Sequence, residues 1–170
     1  MTVIVERNDP AQLKMELRPA VSPRAVVLGV TLNGRTAQFH LEPHANDQHV
    51  VVEANLVSGA NTIKIRLRND FALTYAARLP LLGGESQGLR VLSETWSPSR
   101  DALTLETEGL PGHRYVISVW GREQIKSIDG AQLTADGSIE ETFPATSRGA
   151  ETQKQTATIH FSNPAQKTKH

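Results

Sequence analysis

The feature that most constrains this chain is the alternation of apolar and polar residues with a period of two. In "TIKIRLR", residues 62–68, Ile, Ile and Leu fill every second position beside Lys and Arg. Period two places successive side chains on opposite faces of a β-strand, whereas an amphipathic helix needs apolar residues at i, i+3, i+4 and i+7. No segment keeps that helical pattern over three turns, so the sequence predicts an all-β protein.

Short alternating segments follow one another along the chain, and Gly, Pro, Asn, Asp or Ser separate them. This spacing is typical of antiparallel β-sandwiches and barrels. Hydrophobic residues make up 38% of the chain, which is enough for a packed core. The predicted strands span residues 2–6, 12–17, 25–32, 35–41, 49–56, 62–68, 72–75, 89–95, 102–106, 114–120, 124–128, 138–143 and 156–161.

One stretch interrupts the rhythm of strands. "RLPLLGGESQG", residues 78–88, contains a proline and three glycines, which is typical of a linker. We therefore predict two tandem antiparallel β-sandwich domains. The N-terminal domain spans 1–78, the linker 79–88, the C-terminal domain 89–162, and a frayed tail without an apolar anchor 163–170.

The segment "VTLNGRTAQFHL" predicts a two-residue hairpin, because Asn33-Gly34 suits the two positive-φ positions of a type I′ turn. Pairing Leu32 with Arg35 fixes the register of both strands. Six apolar side chains would then lie on one face, paired as Val30 with Ala37, Leu28 with Phe39 and Val26 with Leu41, and Val27 would be the only large apolar residue on the other.

A second turn is predicted in "LVSGAN", residues 56–61, between two inward-facing apolar sets. Gly59 can adopt a positive φ at little cost. The short side chain of Asn61 can hydrogen-bond the backbone groups that the turn leaves unpaired. This motif therefore has a structural explanation that requires no ligand.

Two phrases, "VTLNG" and "HVVVEANLVSGANTIKIRL", carry a resemblance to a known class of domain. They are similar to the strands and the Leu-x-x-Gly-x-Asn turn of immunoglobulin-like or fibronectin-III-like accessory domains in bacterial secreted or carbohydrate-processing proteins. A less specific match, "LTLETEGLPGHRYVISVWG", resembles the central strands of a similar sandwich. The resemblance implies Ig-like domains that act as noncatalytic spacers or binding modules, and it carries over no site residue.

Charge and composition exclude several kinds of partner. Eighteen Lys and Arg balance eighteen Asp and Glu, so no overall field attracts nucleic acid or an anionic membrane. The absence of cysteine excludes disulfides, thiol catalysis and thiolate ligands. No apolar run approaches the roughly 20 residues of a membrane helix, and "MTVIVERNDP" lacks the pattern of a signal peptide. We expect no specific nucleic-acid partner and no membrane span.

The segment "FHLEPHANDQH" concentrates metal-binding residue types: His40, Glu42, His44 and His49. Alternation turns His40, Glu42 and His49 outward, and a hairpin across residues 43–48 would place them on one solvent face. Imidazoles and a carboxylate suit zinc, and an open fourth position can activate water. His40, Glu42 and His49 are therefore candidate metal ligands. The alternative is that they cover a solvated sheet face, since their spacing matches no known metal motif.

Basic residues also share one side of a predicted strand, at Lys64, Arg66 and Arg68. They are candidates for binding a sulfate, phosphate or uronate group. Charged residues at outward strand positions more often serve as solvent cover and as a guard against edge pairing.

Aromatic residues bear on carbohydrate binding, because exposed rings stack on the apolar faces of pyranoses. Trp120 falls opposite the apolar face of its strand, with Arg122 close behind it, and Trp96 follows another strand. We therefore name Trp96, Trp120 and Arg122 as candidate ligand-binding residues. The alternative is that either tryptophan packs into a core.

No catalytic motif is present: the chain lacks a Gly-x-Ser-x-Gly elbow, an EF-hand loop and a phosphate-binding loop, and its scattered acids give no support to a glycosidase pair. We expect no catalytic residue and no cofactor. Together with the resemblance, this favours a noncatalytic accessory or binding module of a larger or secreted bacterial protein, which either holds a partner domain in place or binds carbohydrate weakly.

The expected partner is a polysaccharide or an adjacent catalytic domain. The sequence does not identify a cellular compartment, although a piece of an exported protein would be extracellular or periplasmic. Two alternatives stay open: a small metal-dependent β-sandwich enzyme that uses the His/Glu face, and a protein–protein adaptor that offers a strand edge.

Overall fold

The structure, a computed structural model, describes residues 1–75, 80, 82–84, 86–145 and 152–162. Strands dominate this part of the chain, which contains a 3₁₀ turn at Arg122–Gln124 but no α-helix. Among these residues no helix has the length and apolar character needed to cross a bilayer. The predicted all-β class is confirmed. The chain divides into two compact units, unit 1 at Met1–Asp70 and unit 2 at Phe71–His170.

Unit 1 is built from two antiparallel sheets. In the first, strands are ordered β1-β8-β4-β5, and in the second β7 pairs with β6 along one edge and with β2 and β3 along the other. Side chains of both sheets share one core, in which Val30, Ile63 and Ile65 pack with Val50 and Val52. The strands are β1 (Thr2–Arg7), β2 (Leu13–Leu17), β3 (Ala20–Val21), β4 (Val26–Leu32), β5 (Arg35–Ala37), β6 (Phe39–Pro43), β7 (Gln48–Leu56) and β8 (Gly59–Arg68).

Unit 2 repeats this layered plan with its own core. Its described sheets are ordered β10-β11-β16-β13 and β14-β15-β12-β9. Leu103, Leu105 and Ile159 of the first sheet pack with Ile117 and Ile139 of the second. The strands are β9 (Ala72–Thr74), β10 (Arg90–Trp96), β11 (Ala102–Gly109), β12 (Arg114–Trp120), β13 (Ile125–Asp129), β14 (Gln132–Leu133), β15 (Ile139–Thr142) and β16 (Gln153–Phe161).

The alternation of the sequence places the strands well. Every predicted strand overlaps a strand of the structure, and only the predicted strand at 35–41 divides, into β5 and β6. The alternation does not predict β3 and β14, because two residues are too few to show a period.

The predicted hairpin is correct beside its turn. Asn33 and Gly34 have φ values of 49° and 81°, as a type I′ turn requires. The predicted pairs Leu32 with Arg35 and Val30 with Ala37 both form.

Further from the turn the hairpin prediction is wrong. Pairing with β4 ends at Ala37. The next strand, β6, pairs with β7 in the other sheet, where Phe39 lies opposite Val52. A bulge between Val27 and Gly29 also changes the phase of β4 against β8. As a result Leu28 is 50% exposed, whereas Val27 packs against the core.

The division between the units falls at Asp70–Phe71, whereas the predicted linker is 79–88. Strand β9, which the sequence analysis assigns to the N-terminal domain, pairs with β12 of unit 2. Phe71 belongs to the core of the same unit. Residues 76–79, 81 and 85, like the predicted tail at 163–170, lie outside the described residues.

Candidate functional site

Strand β12 separates two kinds of side chain by alternation. Tyr115 and Val119 pack against the core of unit 2, and Ile117 lies within it. The intervening residues face outward, and among them Trp120 is 69% exposed. Burying the exposed fraction would be worth about 4 kcal/mol, taking on the order of 250 Å² for the side chain and ~25 cal/mol per Å². A fixed strand therefore holds a large apolar ring in solvent.

The neighbours of Trp120 leave its ring accessible. Ala72 of β9 lies directly opposite Trp120, and Thr74 lies opposite Ser118. Opposed residues of an antiparallel pair point to the same face of the sheet, so a methyl group and two hydroxyls flank the indole. We define the Trp120 face as six residues of β9, β12 and β15: Ala72, Thr74, Val116, Ser118, Trp120 and Glu140.

Polar groups on the Trp120 face offer hydrogen bonds to a ligand. Glu140 lies opposite Val116 and forms an ion pair with Arg114, with Arg114 Nη1 3.2 Å from Glu140 Oε2. Ser118 and Thr74 are exposed hydroxyl groups that can donate and accept. The face therefore combines one aromatic ring with hydroxyl and carboxylate groups, and the Arg114 guanidinium lies beside them.

Trp96, the other tryptophan named as a candidate ligand-binding residue, packs against aromatic neighbours instead of projecting into solvent. Its ring stacks on Phe161 with centroids 5.3 Å apart and meets Phe71 edge-on at 6.2 Å. Trp96 packs against the core cluster of unit 2. We therefore leave Trp96 out of the candidate binding face.

Arg122, the residue predicted to assist Trp120, holds a neighbouring turn. Its Nη1 donates to the carbonyl oxygen of Asp136, and its side chain lies so close to Gly137 that a Cβ there would meet the Arg122 Cδ. Hydrogen bonds from the Thr134 side chain and the Ser138 backbone lower the pKa of Asp136. At least one of the five Arg122 donors is thus committed to the fold.

The three basic residues of β8 form a row on the outer face of their sheet. Lys64, Arg66 and Arg68 are exposed, and within the described part of the chain no acidic side chain forms an ion pair with them. Alternate residues of a strand are about 7 Å apart, so a single small anion can contact only one or two of them. The row can attract an anion but does not enclose one.

An open groove of about 630 Å³ lies near the C-terminal end of β7. Its lining includes Lys14, Arg35, Gln38 and Glu53. Lys14 Nζ lies 2.6 Å from Glu53 Oε2, and this hydrogen-bonded ion pair lowers the pKa of Glu53 and raises the pKa of Lys14. The Lys14 and Glu53 charges therefore neutralise each other, and Arg35 is the remaining charged residue of the lining.

The β6–β7 hairpin brings the predicted metal-binding residue types together. Glu42 of β6 lies directly opposite His49 of β7. The connecting turn is closed by a hydrogen bond from the backbone N–H of His44 to the carbonyl of Asp47, at 2.9 Å. One potential ligand atom from each of Glu42, His44 and His49 lies within 4.8 Å of the others.

His40 differs from its predicted role. The structure groups His44 with Glu42 and His49, and it places His40 outside that group, with Nε2 3.3 Å from Glu42 Oε1. The other carboxylate oxygen accepts a hydrogen bond from Arg18 Nη1 at 2.7 Å. The alternation of the strands predicts that Glu42 and His49 share one face. His44 lies in the turn, where no periodicity indicates which way its side chain points.

One buried acid escapes the functional predictions. Glu141 is fully buried in unit 2, and the Thr107 hydroxyl donates to its Oε2 at 2.6 Å. Burial raises the pKa of this carboxyl, and the Thr107 hydrogen bond opposes the shift. A signal existed, because Glu141 has the same phase as Ile139 and Phe143, two core residues of the same segment.

Comparisons of the chain with protein-family models, with curated proteins and with solved structures found no match.

Proposed function

We propose that this protein is a noncatalytic binding module that holds a saccharide on the Trp120 face. The observation that carries the proposal is the 69% exposure of Trp120 on a paired strand. An indole ring can cover the apolar face of a pyranose, and this contact removes apolar surface of both partners from water.

The side chains around the ring support a saccharide over a purely apolar ligand. Sugars present several hydroxyl groups beside each apolar face, and Ser118, Thr74 and Glu140 offer matching donors and acceptors. With one ring and solvent-exposed polar groups, we expect dissociation constants of about 0.1–10 mM, which correspond to binding free energies of roughly −5.5 to −2.7 kcal/mol. Such weak binding suits a module that keeps a larger protein near a polymer, where many sites act together.

The number of carboxyl groups on the Trp120 face supports a noncatalytic role. Glycoside cleavage commonly uses two carboxyl groups that flank the bond, and the Trp120 face carries one, Glu140. The Glu140 side chain is paired with Arg114. In line with the resemblance of the sequence, we propose that the module serves an adjacent catalytic domain of an exported bacterial protein.

The amount of protein that insoluble cellulose, xylan, starch or chitin removes from solution tests this function. We expect at least one polymer to retain the protein, and Trp120→Ala to lower the apparent affinity at least about fivefold through loss of the stacking ring.

Ile4→Ala is the matched control, because Ile4 is 63% exposed on a strand of unit 1 and its removal deletes a comparable exposed apolar group. The control should bind as the unaltered protein does. Retention by none of the polymers, or equal retention of Trp120→Ala, would contradict the proposal.

A further inference from the structure

We propose that Glu42, His44 and His49 bind one divalent transition-metal ion at the tip of the β6–β7 hairpin, and that zinc is the best-matched ion. This site lies in unit 1 and uses chemistry unrelated to the Trp120 face, so it goes beyond the saccharide-binding function. Its support comes from donor types, local geometry and the groups around the carboxylate.

The donor set selects the class of metal. Two imidazoles and one carboxylate are common zinc ligands, whereas magnesium and calcium prefer oxygen ligands alone. Three protein ligands leave a fourth tetrahedral position for water or for an atom of a partner. The side chains lie at the surface, with His44 exposed and Glu42 and His49 partly buried, so an ion can reach them from solvent.

The backbone fixes the approach of the three side chains. Glu42 and His49 are directly opposed in the ladder, which holds their Cβ atoms about 5 Å apart. The His44 N–H to Asp47 carbonyl bond holds the turn, and Pro43 has a restricted φ before it. The His44 and His49 ring centroids are 4.4 Å apart. Donor atoms of a tetrahedral zinc are about 3.3 Å apart, so side-chain rotations need to close the 4.8 Å cluster by roughly 1.5 Å.

The groups around the ligands orient the Glu42 carboxylate and place a second carboxylate beside one imidazole. Arg18 binds Oε2 of Glu42 at 2.7 Å, which leaves Oε1 as the oxygen for the metal. Asp47 Oδ2 lies 3.6 Å from His49 Nε2, and a carboxylate beside an imidazole is the usual second layer of a zinc site. His40 lies against the same Oε1 at 3.3 Å, so it competes with the metal for that oxygen.

Calorimetric titration of the untagged 170-residue chain with zinc chloride tests the site. We expect one ion per chain, with magnesium binding at least about tenfold more weakly. His44→Ala and His49→Ala should each weaken zinc binding at least about tenfold, since each removes one of three ligands. His44 lies in the exposed turn, so that variant remains informative even if His49→Ala fails to fold.

Three further histidine variants separate this site from adventitious binding. His113→Ala and His160→Ala alter histidines of unit 2 and should leave zinc binding unchanged. His40→Ala should bind zinc at least as tightly as the unaltered chain. The proposal is overturned by absence of zinc binding, by full binding in His44→Ala, or by a loss in His40→Ala equal to that in His44→Ala. None of these results depends on whether the Trp120 face binds saccharide.

Discussion

At the scale of single residues, Glu141 is the side chain whose chemistry most disagrees with its surroundings. It is fully buried among core residues of unit 2. Its Oε1 has no hydrogen-bond partner among the described residues, and neither has the buried Oε1 of Gln155. An ionised carboxylate there would leave a charged oxygen without a donor, whereas the protonated carboxyl is neutral. The neutral form of Glu141 is therefore the one that the core accommodates.

This arrangement predicts a stability that falls as pH rises. Below about pH 4.3, the usual pKa of glutamate, the folded and unfolded states both hold the proton, and the stabilising effect is fully present. Above that pH the unfolded state releases its proton first, and the free energy of unfolding falls until the raised folded-state pKa is passed. For this group the slope reaches at most about 1.4 kcal/mol per pH unit.

Glu141→Gln should remove this dependence, because the amide is always neutral and supplies its own donor. We expect the variant to melt at a higher temperature than the unaltered chain at pH 8, and at a similar temperature at pH 4. Thermal melts followed by circular dichroism across this range measure the effect. Glu94→Gln, an exposed position on β10, is the control and should follow the unaltered profile. Parallel curves for Glu141→Gln and the unaltered chain would show that Glu141 does not titrate as inferred.

Residues whose partners are close in sequence were predictable, and others were not. Asn61 donates to the carbonyls of Val57 at 2.8 Å and Gly59 at 3.1 Å, and Gly59 has a φ of 90°, as the turn pattern indicates. Glu141, in contrast, meets Thr107, which is 34 positions away in the sequence. Alternation indicates that Glu141 turns inward, but it carries no information on which residue lies across the core.

At the scale of elements, a bulge in β4 sets which of its side chains face the core of unit 1. The bulge between Val27 and Gly29 turns Val27 toward the core and Leu28 toward solvent, opposite to the regular alternation. In a regular strand without the bulge, Leu28 would face the core and Val27 would face solvent. The two neighbouring residues therefore distinguish the two arrangements.

Aspartate substitutions provide the comparison. Val27→Asp should lower the free energy of unfolding by about 2 kcal/mol or more, because it places a charge against the core. Leu28→Asp, at a position that is 50% exposed, should lower it by less than about 1 kcal/mol. Urea unfolding of both variants gives the two values. A larger loss in Leu28→Asp than in Val27→Asp would restore the regular strand and contradict the bulge.

Strand existence was predictable from the period-two pattern, but the choice of partner strand was not. Turn chemistry at Asn33-Gly34 sets the register only for the pairs beside the turn, ending at Val30 with Ala37. After Ala37 the segment pairs with β7, and Phe39 packs against the same core from that other sheet. A local pattern shows which residues turn inward and leaves the sheet undetermined.

At the scale of the whole molecule, the segment after Asp70 belongs with the second unit. Phe71 is 4% exposed and meets Phe161 edge-on, with centroids 4.8 Å apart. Strand β9 supplies the Ala72 and Thr74 positions of the Trp120 face. The apolar character of "FALTY" predicts a strand but cannot indicate which unit receives it, so the sequence boundary at 78–88 falls later in the chain.

Fragments test the boundary. A fragment of residues 79–170 lacks Phe71 and β9, and it should melt at least about 5 °C below the fragment 71–170, because loss of a buried phenylalanine costs about 3–5 kcal/mol. The fragment 71–162 loses the same number of residues from the other end, where the sequence predicts a frayed tail, and it should melt with 71–170. Equal melting of 79–170 and 71–170 would contradict the assignment of β9 to unit 2.

The sheet faces directed inward hold the fold, and we propose that the outer face that carries Trp120 binds the ligand. The most direct measurement is a pair of ¹⁵N–¹H spectra of the full chain, recorded with and without an oligosaccharide of the polymer that retains it. Each tryptophan gives one indole N–H signal, which the variants Trp96→Phe and Trp120→Phe assign. We predict that the Trp120 signal shifts with added saccharide and that the Trp96 signal stays in place. A shift of the Trp96 signal alone, or of neither signal while backbone signals elsewhere move, would contradict the claim.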